Sequence, residues 1–173
     1  MPMRLPFVLW LGPILILGPW PGVLEPPPAP FEKLLVSKPI ACTRIDGYRT
    51  YTPLERAALT KDEKLLVYLE VANPTIHASQ EEEQEKVNLH LTQEIRVRKS
   101  GERKPLWIKH GLQGLEVQGK SELGPVYLDV VVGIKGLRPG QYDLDIIVHD
   151  RLARARSTLV TLPFEVLKST VAE

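Results

Sequence analysis

The bulk of this 173-residue chain predicts an all-β fold, an immunoglobulin-like antiparallel β-sandwich of about seven to nine strands behind an N-terminal export signal. Three observations lead there. Beyond Phe31, apolar residues recur at every second position rather than at helical spacing. Turn residues separate these runs, and no strand–helix alternation of a parallel sheet is present. The segment Leu137-x-Pro139-Gly140-x-Tyr142 launches a strand, Leu144, Ile146 and Val148, whose inward positions are all apolar. A tyrosine near such a strand's start can fold back and hydrogen-bond the preceding turn, a corner found in immunoglobulin-type sandwiches, so Pro139, Gly140 and Tyr142 are structural candidates.

The elements follow in order. Leu35–Thr43 reads as a strand, and a short piece near Tyr48–Tyr51 as the next. Pro53-Leu-Glu-Arg-Ala-Ala-Leu59 predicts a helical turn, with Thr52 as cap and proline at the first position. Leu65, Val67, Leu69 and Val71 alternate with Lys64, Leu66, Tyr68 and Glu70, giving one strongly apolar face. Val87, Leu89, Leu91, Ile95 and Val97 do the same, although the acidic lead-in Gln80–Lys86 allows a helical turn. Pro74–Glu85 looks like an insertion, and Glu81–Glu85 like a mobile solvated loop open to a basic partner. Ser100-Gly101 turns the chain towards Pro105–Ile108. Val126, Leu128, Val130, Val132 and Ile134 form another apolar face. In the last strand, from Thr158 to Val166, Pro163 falls opposite the apolar face and suits an edge strand or a bulge.

The first thirty residues differ from the rest. Arg4 precedes an apolar run from Leu5 to Gly18, shorter than the roughly 20 residues a spanning helix needs. Residues 1–24 therefore read as an export signal, with an uncleaved anchor as the alternative and the membrane touched only in that case. Residues 25–32 are a stiff Pro-rich linker, 33–168 the sandwich, and 169–173 a tail. The expected location is periplasmic, cell-envelope or secreted. Cys42 is the sole cysteine, so no intramolecular disulfide can form, and its apolar surroundings mark it as a core residue.

Charge is balanced. Setting aside Arg4 leaves 21 basic residues against 21 acidic ones, so no global field draws the domain to nucleic acid.

The order Leu59, Leu65–Asn73, the hairpin from Ile95 to Trp107, Leu137-x-Pro139-Gly140-x-Tyr142 and Phe164-Glu165-Val166 resembles a set of uncharacterised exported bacterial proteins, common in planctomycetes, with a single immunoglobulin-like domain. The resemblance spans roughly Lys33 to Leu167. It implies an envelope or secreted location and a non-catalytic module, and it transfers no catalytic residues.

Chemistry is sparsely signalled. His77, His90, His110 and His149 show no ligand spacing, and His90 and His149 should point outward from their strands. Asp143 and Asp145 share an outer strand face, and Asp150 lies just past the strand end, where Arg151, Arg154 or Arg156 can neutralise it. Without a D-x-D-x-D-G loop, a solvated face is expected there rather than calcium. No nucleophile elbow and no phosphate-binding glycine loop occur, so neither enzyme activity nor a cofactor or metal is expected. Binding candidates are Trp107 with Arg96, Arg98, Arg103 and Lys104, basic residues beside the one tryptophan outside the leader. Arg98 is expected on a solvated face, where truncation costs little. The expected function is protein–protein interaction or scaffolding with an envelope protein. The alternative is a carbohydrate-binding module gripping polysaccharide with Trp107 and Tyr48 or Tyr51.

Overall fold

A computed structural model of the chain describes residues 33–81, 84–112, 115–120, 124–153 and 156–168. The expected leader and linker, and the tail from 169, lie outside the described residues. Twelve strands run through them: β1 (Leu35–Val36), β2 (Ile40–Gly47), β3 (Thr50–Pro53), β4 (Ala58–Leu59), β5 (Lys64–Ala72), β6 (His77–Glu81), β7 (Gln84–Lys99), β8 (Trp107–Leu112), β9 (Glu116–Lys120), β10 (Val126–Gly133), β11 (Gly140–Asp150) and β12 (Arg156–Val166). The described residues contain no helix.

The strands form two sheets. In the first, β5 is flanked on one edge by β10, paired from Val126↔Val71 to Gly133↔Lys64. Its other edge carries β1 and β2, and β3 pairs outward from β2. In the second sheet the order is β4–β12–β11–β7. The sixteen-residue β7 is long enough to serve two sets of neighbours. Its C-terminal half lies between β11 and β8, and its N-terminal half between β6 and β9. All pairings are antiparallel except β4 with β12.

The apolar faces of both sheets supply one core, so the architecture is that of a β-sandwich-like all-β domain. Leu65, Val67, Leu69 and Val71 of β5 and Leu128, Val130 and Val132 of β10 belong to it. So do Leu89, Leu91, Ile95 and Val97 of β7, Leu144, Ile146 and Val148 of β11, and Leu162, Phe164 and Val166 of β12. These are the residues that the period-two pattern assigns inward, because successive side chains of a strand point to opposite faces. Tyr142 is buried and stacks on Phe164 at 5.6 Å between centroids. Its hydroxyl donates to the Arg138 carbonyl at 2.7 Å, so the ring folds back over the Pro139-Gly140 turn as the motif predicts. Cys42 is buried too.

Some local expectations are corrected. No helical turn forms from Pro53 to Leu59. Pro53 closes β3 opposite Cys42, Leu54 N–H donates to the Ala41 carbonyl at 2.8 Å, and Ala58 and Leu59 pair with β12. Sheet partners thus take the backbone groups that a helix would need, overriding a cap signal of about 1 kcal/mol. Of the Gln80–Lys86 lead-in, which includes the acidic run, the described residues are likewise not a helical turn or a free loop. Gln80 and Glu81 lie in β6 and Gln84–Lys86 in β7, with Gln80 opposite Glu85 and Glu81 opposite Gln84, and residues 82 and 83 lie outside the described residues. Twelve strands replace the expected seven to nine because β1 and β4 are two-residue pieces and β6 and β9 flank the extension of β7.

Candidate interaction surfaces

The outer face of the second sheet carries two of the expected basic residues, Arg96 and Arg98, but in closed pairs. Arg96 donates to Glu94 at 2.6 Å, and Glu94 also contacts His110 at 2.8 Å. Arg98 reaches Asp143 at 2.7 Å and Asp145 at 2.9 Å, and also donates to the Glu102 carbonyl. The cross-strand register makes this unavoidable, since Arg98 lies opposite Asp143 and Arg96 opposite Asp145. Thr161 of β12 donates a third contact to Asp145, at 2.7 Å. The solvated face expected here is therefore wrong. Asp145 is buried at 9% exposure, and the Arg98 side chain is 22% exposed. Burial alone would raise the Asp145 carboxyl, but Arg98 and Thr161 outweigh it and hold it below the usual range.

Trp107 sits on the other side of the same sheet. It pairs with core-facing Val97 and packs, half-buried, against the core, whereas Ile108 pairs with outward Arg96. Arg103 and Lys104 are exposed in the turn before β8. The five candidates are thus neighbours in the chain but not one surface. Tyr48 and Tyr51 belong to the first sheet, so they share no ring platform with Trp107.

The first sheet holds a cluster that the sequence reading missed. Tyr68 points outward from β5, between core residues Val67 and Leu69, yet it is only 1% exposed. The β2–β3 hairpin covers it. Register shifts between Cys42 and Arg44 and between Ile45 and Gly47 bend that hairpin, as bulges do, and its tip returns over the sheet. Arg49, at the tip with φ 53°, donates its backbone N–H to the Tyr68 hydroxyl at 3.0 Å and pairs with Glu70 at 3.0 Å. Tyr51 lies 4.4 Å and Tyr127 5.7 Å from the Tyr68 ring, and Tyr48 lies 6.4 Å from Tyr127. Four of the five tyrosines therefore form one aromatic cluster, with the Arg49 guanidinium 5.1 Å from the Tyr48 ring centre. The available signal was the pair of tyrosines, Tyr48 and Tyr51, at a Gly-x-x-Thr turn, but nothing local indicates that the turn folds back.

A third place joins two turns. Asp150 ends β11 and its side chain is 0% exposed, so the solvated position expected for it is also corrected. It accepts the Thr75 N–H at 2.7 Å and the Leu152 N–H at 3.1 Å, and Arg156 lies 3.6 Å away. Of the three arginines proposed to neutralise it, Arg156 does so and Arg151 donates to Thr92, while Arg154 lies outside the described residues. Arg156 also donates to Thr75 and to the Asn73 carbonyl, which ties the β5–β6 turn to the β11–β12 turn. The adjoining cavity, about 170 Å³, is lined by His149, Asp150, Arg151, Ala153, Arg156 and Ser157. That is below the roughly 300 Å³ at which small-molecule sites begin.

Among the described residues no group of histidine, cysteine, aspartate and glutamate side chains could hold a metal ion. Burial pushes the Cys42 thiol up, away from the thiolate.

No protein-family model matches the sequence, and no curated protein matches it either.

The strand edges differ more than the faces. The β3 edge is four residues long, bulged and ends in Pro53. β1 has two residues and is followed by Pro39. β12 carries Pro163 and is partly covered by β4, and β8 meets β7 through a bulge. By contrast β10, Val-Tyr-Leu-Asp-Val-Val-Val-Gly, is paired along all eight residues with β5 and has no bulge, proline or lysine. Among the described residues no strand lies on its far side.

Proposed function

We propose that this chain is an exported, non-catalytic immunoglobulin-like module of the cell envelope or the exterior, and that it works by binding another protein chain. The observation that carries this reading is the β10 edge, unpaired among the described residues, a row of backbone donors and acceptors suited to strand addition. The immunoglobulin-like assignment draws on the strand order, β10–β5–β2 facing β4–β12–β11–β7–β8, and on the Tyr142 corner. The exported location is supported by the apolar N-terminal run and by the likeness of residues 33–167 to exported bacterial domains. Deleting residues 1–24 should hold the protein in the cytoplasm on cell fractionation; export without them would sink that part.

The functional test is capture of a partner from envelope extract by the full chain, compared with its Val131→Asp variant. Val131 is 50% exposed on β10, so the variant should fold normally and lose a partner that adds to this edge. Equal capture by both would refute edge binding.

A second reading, polysaccharide binding, keeps one observation in its favour. Tyr48 and Tyr127 are half-buried rings on an outer face beside Arg49 and Glu70, whereas Trp107 faces the core. Polysaccharide retention lost on Tyr127→Ala, in a variant that still folds, would replace the protein-binding reading.

A further inference from the structure

Resting on the reading of β10 as a binding edge, we infer that its occupant is a second copy of this chain, joined by antiparallel pairing of β10 with β10 about a two-fold axis at Val130.

The argument begins with the contrast between edges. An exposed, regular, apolar strand is a template for another strand, and proteins blunt such edges with proline, lysine, bulges or short length. In this domain the β1, β3, β8 and β12 edges each carry one of these devices. β10 carries only Asp129.

The strand is also complementary to itself. Val126, Leu128, Val130 and Val132 alternate with Tyr127, Asp129, Val131 and Gly133, and the first set faces the core while Asp129, Val131 and Gly133 are exposed. Antiparallel pairing centred on Val130 sets Val130 against its own copy and Leu128 against Val132. The apolar row would then continue across the joint. On the outer side the largest residue meets the smallest, because Tyr127 and Gly133 lie equally far from Val130. A Cβ built on Gly133 meets nothing within 4 Å, so nothing crowds this pairing, and the Tyr127 ring can keep its place on Tyr68. Asp129 faces Val131, and no like charges oppose one another. Centring one residue earlier would set Asp129 against itself, which is unfavourable. The contact is isologous, so it closes at two copies and does not propagate.

The register gives the test its specificity. The full chain is measured by sedimentation over a concentration series, alongside Val131→Asp and Val131→Lys. Position 131 should face Asp129 of the other copy, twice per dimer. Val131→Asp creates two acid–acid pairs and should weaken dimerisation by about tenfold or more. Val131→Lys creates two opposite-charge pairs and should keep the dimer. Double substitution Asp129→Lys with Val131→Asp should restore it. A monomer at all concentrations overturns the inference, as does a dimer indifferent to Val131→Asp or one lost equally with Asp and Lys. A chain that proves monomeric while Val131→Asp still abolishes capture of a different protein removes the second copy but leaves the edge-binding reading intact. Failure of both would end that reading as well.

Discussion

The outer faces of the two sheets are closed by different chemistry. On the first, Tyr68 is sealed by rings from Tyr51 and Tyr127 and by a hairpin that folds back upon the sheet. On the second, Arg98 is held between Asp143 and Asp145, with Thr161 completing the set. The first solution mainly removes apolar surface from water, with one exposed ion pair, Arg49 with Glu70, at its rim. The second neutralises charges that alternation alone sends outward, and it depends on every member being present. A strand's second face thus need not be solvated: the chain can cover it with its own hairpin or lace it with ions.

The largest effect that separates the two faces should come from Tyr68→Ala. Truncating a buried aromatic costs about 3–5 kcal/mol, and here the Arg49 N–H loses its acceptor as well. Denaturant unfolding should show a drop of that order, and hydrogen exchange should show faster opening of residues 48–51. A loss below about 1 kcal/mol would mean that the hairpin does not depend on this ring.

Arg98→Ala comes next. Asp145 would be left largely buried with Thr161 as its remaining side-chain partner, and an abandoned charged acceptor costs about 2 kcal/mol. This reverses the expectation of a solvated, indifferent arginine. Arg103→Ala, at an exposed turn position, is the control and should lie within about 0.5 kcal/mol of the parent. Equal effects from the two would return Arg98 to the solvent.

Smaller again is Tyr68→Phe. It keeps the rings and removes only the hydroxyl that accepts from Arg49, so about 1 kcal/mol should be lost. A result near zero would assign the first face to packing alone, and one near that of the alanine variant would assign it to the hydrogen bond.

What the residues disclosed in advance, and what they hid, divides along the same line. The inward sets, Leu65 to Val71 and Leu144 to Val148, were legible because burial imposes period two on each strand separately. The Tyr142 corner was legible because its acceptor, Arg138, is four residues away. The outward sets were not. Arg98 and Asp145 are 47 residues apart, and Arg49 and Tyr68 are 19. Which outward groups meet is decided by register between strands, and by bulges that no local pattern marks. The helical signal at Pro53–Leu59 failed for the same reason, since sheet pairing outweighed a weak local preference. Of the candidate binding residues, clustering in sequence was real, but pleating sent Trp107 inward and Arg96 and Arg98 outward.

The smallest expected effect is a pH dependence, and it can be assigned to one face. The Asp145 carboxyl is held below its ordinary value of 3.8, although burial, the largest influence, works against that. A carboxyl depressed in the folded state contributes stability above its unfolded pKa, and loses it as pH falls through the folded value. Stability should therefore decline as pH drops from about 4 downward. Glu70 on the first face is also depressed, chiefly by its bond to Arg49, so the raw acid response mixes both faces. Salt separates them. The Arg49 side chain is 68% exposed, and a pair so open is screened in about 1 M salt, where the Debye length is about 3 Å. Arg98 and Asp145, at 22% and 13%, are sheltered. Part of the acid sensitivity that survives high salt should belong to Asp145, and that part should disappear in Arg98→Ala. Glu94, which burial would raise but Arg96 and His110 hold low, supplies the rest. If the sensitivity persists unchanged in Arg98→Ala, the depression does not come from the arginine, and the ionic closure of the second face is not what stabilises it.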